Sequence, residues 1–325
     1  MTVMGGFDIG GTKCAVSLSV RRKDNVFLLE KIAFPTAGGP EQTMESLCRK
    51  LETLMEKHQV TPASIGVSCG GPLNSKEGVI LSPPNLPGWD QVPITAFLKK
   101  RYGVPVLLQN DANAGALAEW YWGAGRGSQH IIFLTFGTGM GAGLILNGRL
   151  YSGTNDLGGE VGHMRLAEDG PVGFGKAGSF EGFCSGGGIA GLARKMALEA
   201  LEKGEKVGFC RSREDAAYIT AKSTGEAAEA GDPLALKVYE TVGIYLGRGL
   251  SILIDILNPE KIIIGSIYGR QQTILEPIVQ KELAKESLPL ARSVCEIVPA
   301  GLGEKIGDYA SAAVAMLALE EGMVS

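Results

Sequence analysis

Asp111 has the residue type and the setting of a ligand-binding carboxylate. It lies in Gln109-Asn110-Asp111-Ala112-Asn113-Ala114. The apolar run before it, Val104 to Leu108, reads as a buried strand. After it, Ala114, Leu117, Ala118 and Tyr121 recur at helical spacing. A carboxylate at the end of a strand and the mouth of a helix is where open α/β sheets place their ligands. Asp and Asn at that place also cap helices, and the stretch taken alone favours a cap. Two glycine-rich loops shift the balance: Asp8-Ile9-Gly10-Gly11-Thr12 and Thr135-Phe136-Gly137-Thr138-Gly139, both strand, turn, strand. Such turns present backbone N–H groups with no side chain in the way, a concave site for an anion. One loop of this kind is commonly just a hairpin; two, each opening one half of the chain, can clamp a polyphosphate. Asp8 can hold Mg²⁺ through water, and Thr12 and Thr138 supply hydroxyl donors. Lys13 either reaches a phosphate or points to solvent.

The elements that must position these residues follow from periodicity. Residues 5 to 34 read as three strands in succession. Glu41 to His58 carries Met44, Leu47, Leu51, Leu54 and Met55 on one helical face, and Ser64 to Ser68 is again strand-like. The pattern restarts at His130 to Phe136, with Ala142 to Leu146 as the next strand. Residues 186 to 257 are largely helical, with Asp232-Pro233 marking a helix start. Lys261 to Gly265 is a short buried strand, Thr273 to Lys285 a helix, Val294 to Val298 a strand and Tyr309 to Glu320 a last helix. A chain of 325 residues exceeds the usual single core. Two related α/β halves with a cleft between them are expected: residues 1–112, completed by a C-terminal helix at 306–325, and residues 113–305.

Composition excludes several classes. A net charge of −4 gives no basic surplus for nucleic acid. No basic-plus-apolar leader is visible at the N-terminus. The most apolar long segment, Leu234 to Leu257, contains Lys237, Glu240, Arg248 and Asp255 and reads as a core helix, not a membrane span. The six cysteines are scattered without a Cys-x-x-Cys pair, which argues against disulfides and zinc and for reduced thiols in a cytoplasmic protein.

Four motifs in order carry a resemblance. Asp8-Ile9-Gly10-Gly11-Thr12-Lys13, Asn110-Asp111-Ala112-Asn113-Ala114, Gly137-Thr138-Gly139-Met140-Gly141-Ala142-Gly143 and Gly158-Gly159-Glu160-Val161-Gly162-His163 together resemble the ROK family of repressors, open reading frames and sugar kinases. The resemblance runs from residue 5 to the last helix. It implies a two-domain actin/hexokinase-like (ribonuclease H-like) fold and an ATP-dependent sugar kinase using Mg²⁺. Repressor members carry an extra helix-turn-helix domain in front. This sequence starts at the first phosphate loop, which favours the kinase branch. The family commonly forms homodimers.

By the same resemblance the sugar is held by Gly71, Asn85, Asn110, Asp111, Glu160, His163 and Glu181. The nucleotide is held by Asp8, Gly10, Gly11, Thr12, Lys13, Gly137, Thr138 and Gly139, with Gly265 on the adenosine side. The physics agrees, since a polyol needs many acceptors and planar bidentate groups. Asn85 lies between prolines that would stiffen its loop above Trp89. Of the three histidines, His58 and His130 look structural; His163 is the candidate.

The sequence departs from the family after His163. Many members place three cysteines there that bind zinc with the histidine. Counted back from Glu181, those positions fall on Val172, Phe174 and Ser179. Val and Phe cannot ligate a metal, and structural zinc wants four N/S ligands, so no zinc is expected. Packing of Val172, Phe174 and Phe180 is expected to shape the loop instead. The implied reaction moves the γ-phosphoryl of ATP to a hexose hydroxyl, O6 of a glucose-like sugar, with Asp111 accepting its proton. An N-acetylhexosamine or fructose kinase and a non-catalytic sugar sensor remain as alternatives. So does an actin- or chaperone-like ATPase, which would need no sugar site.

Overall fold

The computed structural model describes residues 2–324. The chain opens with β1 (Thr2–Ile9), β2 (Lys13–Arg22) and β3 (Asn25–Pro35), an antiparallel meander. Helix α1 (Pro40–His58) follows and buries Met44, Leu47, Leu51 and Leu54. β4 (Ser64–Cys69) then lies parallel to β1. A short hairpin, β5 (Leu73–Asn74) and β6 (Val79–Ile80), precedes α2 (Ile94–Tyr102), a helix for which the sequence gives no clear signal. β7 (Val106–Asn110) pairs in parallel with β4 and leads into α3 (Asp111–Trp122). The sheet order is β3-β2-β1-β4-β7.

The second half repeats this plan. β8 (Ile131–Phe136), β9 (Met140–Leu146) and β10 (Arg149–Tyr151) follow one another across tight turns. A small hairpin, β11 (Val172–Gly173) and β12 (Lys176–Ala177), comes before α4 (Phe180–Phe183) and α5 (Gly186–Glu202). Next are α6 (Ala221–Glu229) and α7 (Pro233–Leu257). The start of α7 is where Asp232-Pro233 puts it: Asp232 accepts from the N–H groups of Leu234 and Ala235, both at 3.0 Å. β13 (Lys261–Ile264) lies parallel to β8, and after α8 (Ile267–Arg270), α9 (Gln272–Glu286) and α10 (Pro289–Arg292), β14 (Glu296–Pro299) lies parallel to β13. The order β10-β9-β8-β13-β14 matches the first sheet: a meander, then two strands reached by helical crossovers. Helix α11 (Ile306–Val324) closes the chain.

The chain divides into two compact units. One comprises the described residues of Met1–Gln129, Gly143–Gly158 and Gly301–Ser325; the other comprises His130–Ala142 and Gly159–Ala300. The expected boundary between residues 112 and 113 is therefore misplaced, because α3 stays with the first unit. Helix α3 packs against α11. In its last turn the buried Glu119 carboxylate accepts from the N–H groups of Ala124 at 2.7 Å, Gly301 at 3.0 Å and Leu302 at 2.9 Å.

Two glycines explain how α11 lies on the first sheet. Gly6 and Gly66 are register partners on β1 and β4. A Cβ on Gly66 would stand 2.1 Å from the Ser311 carbonyl oxygen, and one on Gly6 2.3 Å from the Ser311 hydroxyl. Ser64 also donates to the Ala315 carbonyl at 2.7 Å. Among the described residues no helix is long and apolar enough to cross a membrane.

Candidate active site

In the first unit, strand register brings three loops level. Ile9 pairs with Cys69 and Cys69 with Asn110. The turns that begin at Gly10 and Gly70 and the helix that begins at Asp111 therefore leave the same end of the sheet side by side. The Gly10 N–H donates to the Lys13 carbonyl at 3.1 Å, closing the first turn. Thr36 holds it from β3's end: its hydroxyl donates to the Gly10 carbonyl at 2.6 Å and its N–H to the Thr12 carbonyl at 3.0 Å. Thr36 carried no signal in the sequence, since its partner is distant in the chain. A Cβ on Gly11 would meet the Asn85 carbonyl oxygen at 2.3 Å, and one on Gly70 would lie 3.7 Å from the Asn85 amide. Gly10, Gly11, Gly71 and Asn85 thus belong to one cluster of loops. Gly71, Asn85, Thr12 and Lys13 are exposed, and Trp89 is buried beneath the Asn85 loop.

Asn110, not Asp111, caps α3. Its side-chain oxygen accepts from the Asn113 N–H at 2.7 Å, which leaves its amide nitrogen as the donor for a ligand. Asp111 is the first helical residue, and one of its oxygens accepts from the Ala112 N–H at 2.9 Å. Its side chain opens to solvent at the rim of the unit. The protein packed around the carboxylate nevertheless raises its pKa, against the opposing pull of the Ala112 and Asp111 N–H groups. Asp8 is half-buried and its pKa is also raised, first by burial. Lys31 and Lys13 pull it down, while the carboxylates of Asp111 and Asp308 push it up. Asp308, in the first turn of α11, is held by Lys31 at 2.6 Å. An acid in a helix's first turn reads as dipole compensation, so its place beside Asp8 was not legible.

In the second unit the turn between β8 and β9 is bound on two sides. The Gly186 N–H donates to the Gly137 carbonyl at 2.7 Å. Glu181 accepts from the Met140 N–H at 3.0 Å, and a Cβ on Gly139 would come within 2.9 Å of that same oxygen. One Glu181 oxygen is thus already spent on the loop. Beside the turn lies a cavity of about 690 Å³ whose walls include Gly137, Thr138, Gly186, Tyr239, Ser266 and Arg270. Its size suits a nucleotide. Gly265 is buried and extends the ladder, its N–H donating to the Leu134 carbonyl at 3.0 Å, so the wall is formed by the next residue, Ser266. Ser266 has φ +54°, uncommon for a residue with a side chain, and its hydroxyl accepts from Arg270 at 2.7 Å. The wall at α5 had one sequence signal, Ser185-Gly186-Gly187-Gly188 at a helix start, where Ser185 accepts from the Gly188 N–H at 3.0 Å.

Glu160 and His163 flank a single helical turn, and both side chains are exposed. Gly159 seats this turn: its φ is +97°, and a Cβ there would lie 2.1 Å from the Ala142 carbonyl oxygen. The segment that follows corrects an expectation. Val172 is 64% and Phe174 80% exposed, so neither packs the loop; only Phe180 is buried. Backbone bonds hold it instead. The N–H groups of Leu166 and Ala167 donate to the Gly178 carbonyl at 2.8 and 3.1 Å, Gly178 to Pro171 at 3.0 Å and Phe180 to Met164 at 2.8 Å. Ser179, at a family cysteine position, accepts from the Gly182 N–H at 3.1 Å as the cap of α4. Among the described residues no group of three or more His, Cys, Asp or Glu side chains is placed to hold a metal ion.

Two sheets of matching topology, each with a glycine turn in its first hairpin, define an actin-like ATPase fold. The chain belongs to the ROK family, whose model matches residues 4–317. It is 32% identical over 312 residues to the glucokinase of Thermotoga maritima, covering 95% of this chain and 96% of that protein. It is also similar to the crystal structure of a ROK family glucokinase from Streptomyces griseus in complex with glucose and AMPPNP. The TM-score is 0.74 at 28% identity, over 98% of this chain and 99% of that one. A ROK family transcriptional regulator, a homolog of the E. coli MLC protein, superposes with a TM-score of 0.85 at 25% identity, over 99% of this chain and 79% of that one.

Proposed function

We propose that this chain is a sugar kinase that transfers the γ-phosphoryl group of ATP to a hydroxyl, O6, of a glucose-like hexose, with Asp111 as the general base. The observation that carries this reading is the placement of Asp111. It is the first residue beyond β7, next to Asn110, which takes the capping bond to Asn113, so that one Asp111 oxygen remains beyond its bond to the Ala112 N–H, in a chain similar over its length to glucokinases. A carboxylate within hydrogen-bond reach of the attacking hydroxyl is the standard arrangement for this transfer.

The remaining roles follow from the chemistry each group offers. Asn85, the Asn110 amide, Glu160, His163 and the second oxygen of Glu181 would hold sugar hydroxyls, with Gly71 letting the sugar approach the backbone. The N–H groups of Gly10, Gly11, Gly137 and Gly139 and the hydroxyls of Thr12 and Thr138 would hold phosphates, with Lys13 at the rim. The 690 Å³ cavity would take the nucleoside, Ser266 following Gly265 at its wall. Asp8 fits a role toward Mg²⁺: burial and two neighbouring carboxylates disfavour its charge, which a divalent cation would relieve. Mg²⁺ would supply charge neutralisation on the phosphates, and such sites use one or two carboxylates rather than an all-protein cage. We further take the protein to be a homodimer, as the family resemblance implies, and cytoplasmic, as its scattered cysteines suggest.

One observation favours a second reading, a sugar sensor: the similarity to a transcriptional regulator. A coupled ATP-to-ADP assay with Mg²⁺ against hexoses, hexosamines and N-acetylhexosamines separates them. One sugar raising turnover well above background supports the kinase and names its substrate, including the N-acetylhexosamine and fructose alternatives. Sugar binding without turnover would support the sensor. ATP turnover indifferent to sugar would support a shape-changing ATPase.

A further inference from the structure

The hairpin β11–β12 holds Phe174 in a way that packing does not explain. Phe174 and Gly175 are its two turn residues, with φ of +42° and +75°. Two-residue turns with both φ positive call for Asn, Asp or Gly, and a bulky side chain at positive φ is a clear outlier. Strain of that kind persists where surrounding structure over-determines it, and it clusters at ligand sites. The surroundings do so here. Gly173 is pressed onto α4, where a Cβ would lie 2.5 Å from the Gly182 nitrogen and 2.8 Å from the Ser179 hydroxyl. On the other side of the turn, the Lys176 ammonium donates to the His163 carbonyl at 2.7 Å. The Phe174 ring is 80% exposed, so burial does not compensate the strain. Among the described residues its aromatic contact is edge-on to His163, with ring centres 6.5 Å apart and an interplanar angle of 77°.

We propose that Phe174 is a specificity-determining residue of the sugar site. Its ring stands beside His163 and offers a flat apolar surface to the C–H face of the pyranose whose hydroxyl His163 binds. An aromatic face carries partial negative charge and attracts the polarised C–H hydrogens of a sugar, which a leucine of similar size would not do. The inference rests on the sugar-kinase reading and adds to it the residue that selects among sugars by their apolar face. The hairpin is tied to His163 through Lys176 as well as through the ring contact, so the surface and the hydrogen-bonding group are held as one unit.

The test uses the full chain with Mg²⁺ and ATP against the sugar panel, comparing wild type with Phe174→Ala, Phe174→Leu, Phe174→Tyr and Phe174→Asn. Ala and Leu are expected to raise the KM for sugar roughly three- to tenfold, the range of an aromatic contact. The kcat and the KM for ATP should stay as they are, and Tyr should restore the wild-type KM. Asn, which suits the turn, is expected to raise the melting temperature while also raising the KM for sugar. An unchanged sugar KM in the Ala variant would overturn the proposal, as would a loss shared by sugar KM, ATP KM and melting temperature. Failure of the wild type to phosphorylate any sugar would instead overturn the kinase reading beneath it.

Discussion

Asp8 and Asp111 stand at the same end of the first sheet with one strand between them. Asp8 pairs with Ser68 on β4, and Ser68 pairs with Gln109 on β7, two residues before Asp111. Neighbouring strands lie about 4.8 Å apart, so the two strand ends are separated by about 10 Å. That spacing leaves room for a phosphoryl group on one side and its acceptor hydroxyl on the other. The two acids are not independent, since the Asp111 carboxylate is among the groups that raise the pKa of Asp8.

Replacing Asp111 is therefore expected to separate turnover from binding. Asp111→Asn keeps the shape and removes the base, and general-base help is typically worth about a hundredfold to ten-thousandfold in rate. The kcat should fall by that order, while the sugar dissociation constant, read by calorimetry, changes far less. Near-normal turnover in this variant would remove Asp111 from the mechanism.

The protein packed around the Asp111 carboxylate fixes the sign of two pH effects. Its folded pKa lies above the ordinary 3.8, so the rate should fall on acidification through a value higher than that. For stability the effect runs the other way. The folded state holds this proton more tightly than the unfolded state, so stability declines as pH rises from 3.8 through the folded pKa. Asp111→Asn removes that penalty. Its melting temperature should exceed that of the wild type at neutral pH, and the two should converge below pH 3.8, where the wild-type acid is protonated in both states. A gap that persists in acid would trace the stabilisation to something other than the charge.

The parts of the chain that were legible in the sequence are those decided locally. The glycine turns, the strands β1 and β2 on either side of the first of them and the Asp232-Pro233 start of α7 carry their signals within a few residues. Helix α2 was not legible: its N-cap is Pro93 without a side-chain bond, and only Ile94, Thr95 and Leu98 are buried. Asp308 pairs with Lys31 across 277 positions, a distance over which no spacing rule operates. Phe174 misled for the opposite reason. An aromatic residue in a loop reads as core, and its 80% exposure is what shows that it stands outside.

Glu119 offers a test of how the end of α3 is fixed. The carboxylate is fully buried and accepts the N–H groups of both Gly301 and Leu302. Glu119→Ala removes these acceptors, and a buried donor left without a partner costs about 1–3 kcal/mol. A loss of roughly 3–5 kcal/mol is expected in urea unfolding, with Glu119→Gln intermediate because it keeps one acceptor oxygen. Hydrogen exchange at Gly301 and Leu302 should accelerate in the Ala variant before other amides of the unit. Unchanged protection there would show that other contacts hold the segment.

Gly66 tests whether the close seating of α11 is a matter of space. Gly66→Ala would drive a methyl group to 2.1 Å from the Ser311 carbonyl oxygen and 2.2 Å from the Ala315 nitrogen. Both are backbone atoms of a helix and cannot rotate aside, so the helix must lift from β4 or the strand must bend. Overpacking of this kind typically costs about 1–3 kcal/mol. Lifting α11 would also disturb the bond from Ser64 to the Ala315 carbonyl, so the upper end of that range is expected. Gly191→Ala is the control: it lies exposed inside α5, and nothing lies within 4 Å of its Cβ position. The control should be neutral or slightly stabilising, by less than about 1 kcal/mol. Asp308 sits in the first turn of the same helix, so Gly66→Ala should also weaken activity although it touches no ligand. A Gly66→Ala protein as stable as the control would mean that α11 is held by its apolar face alone.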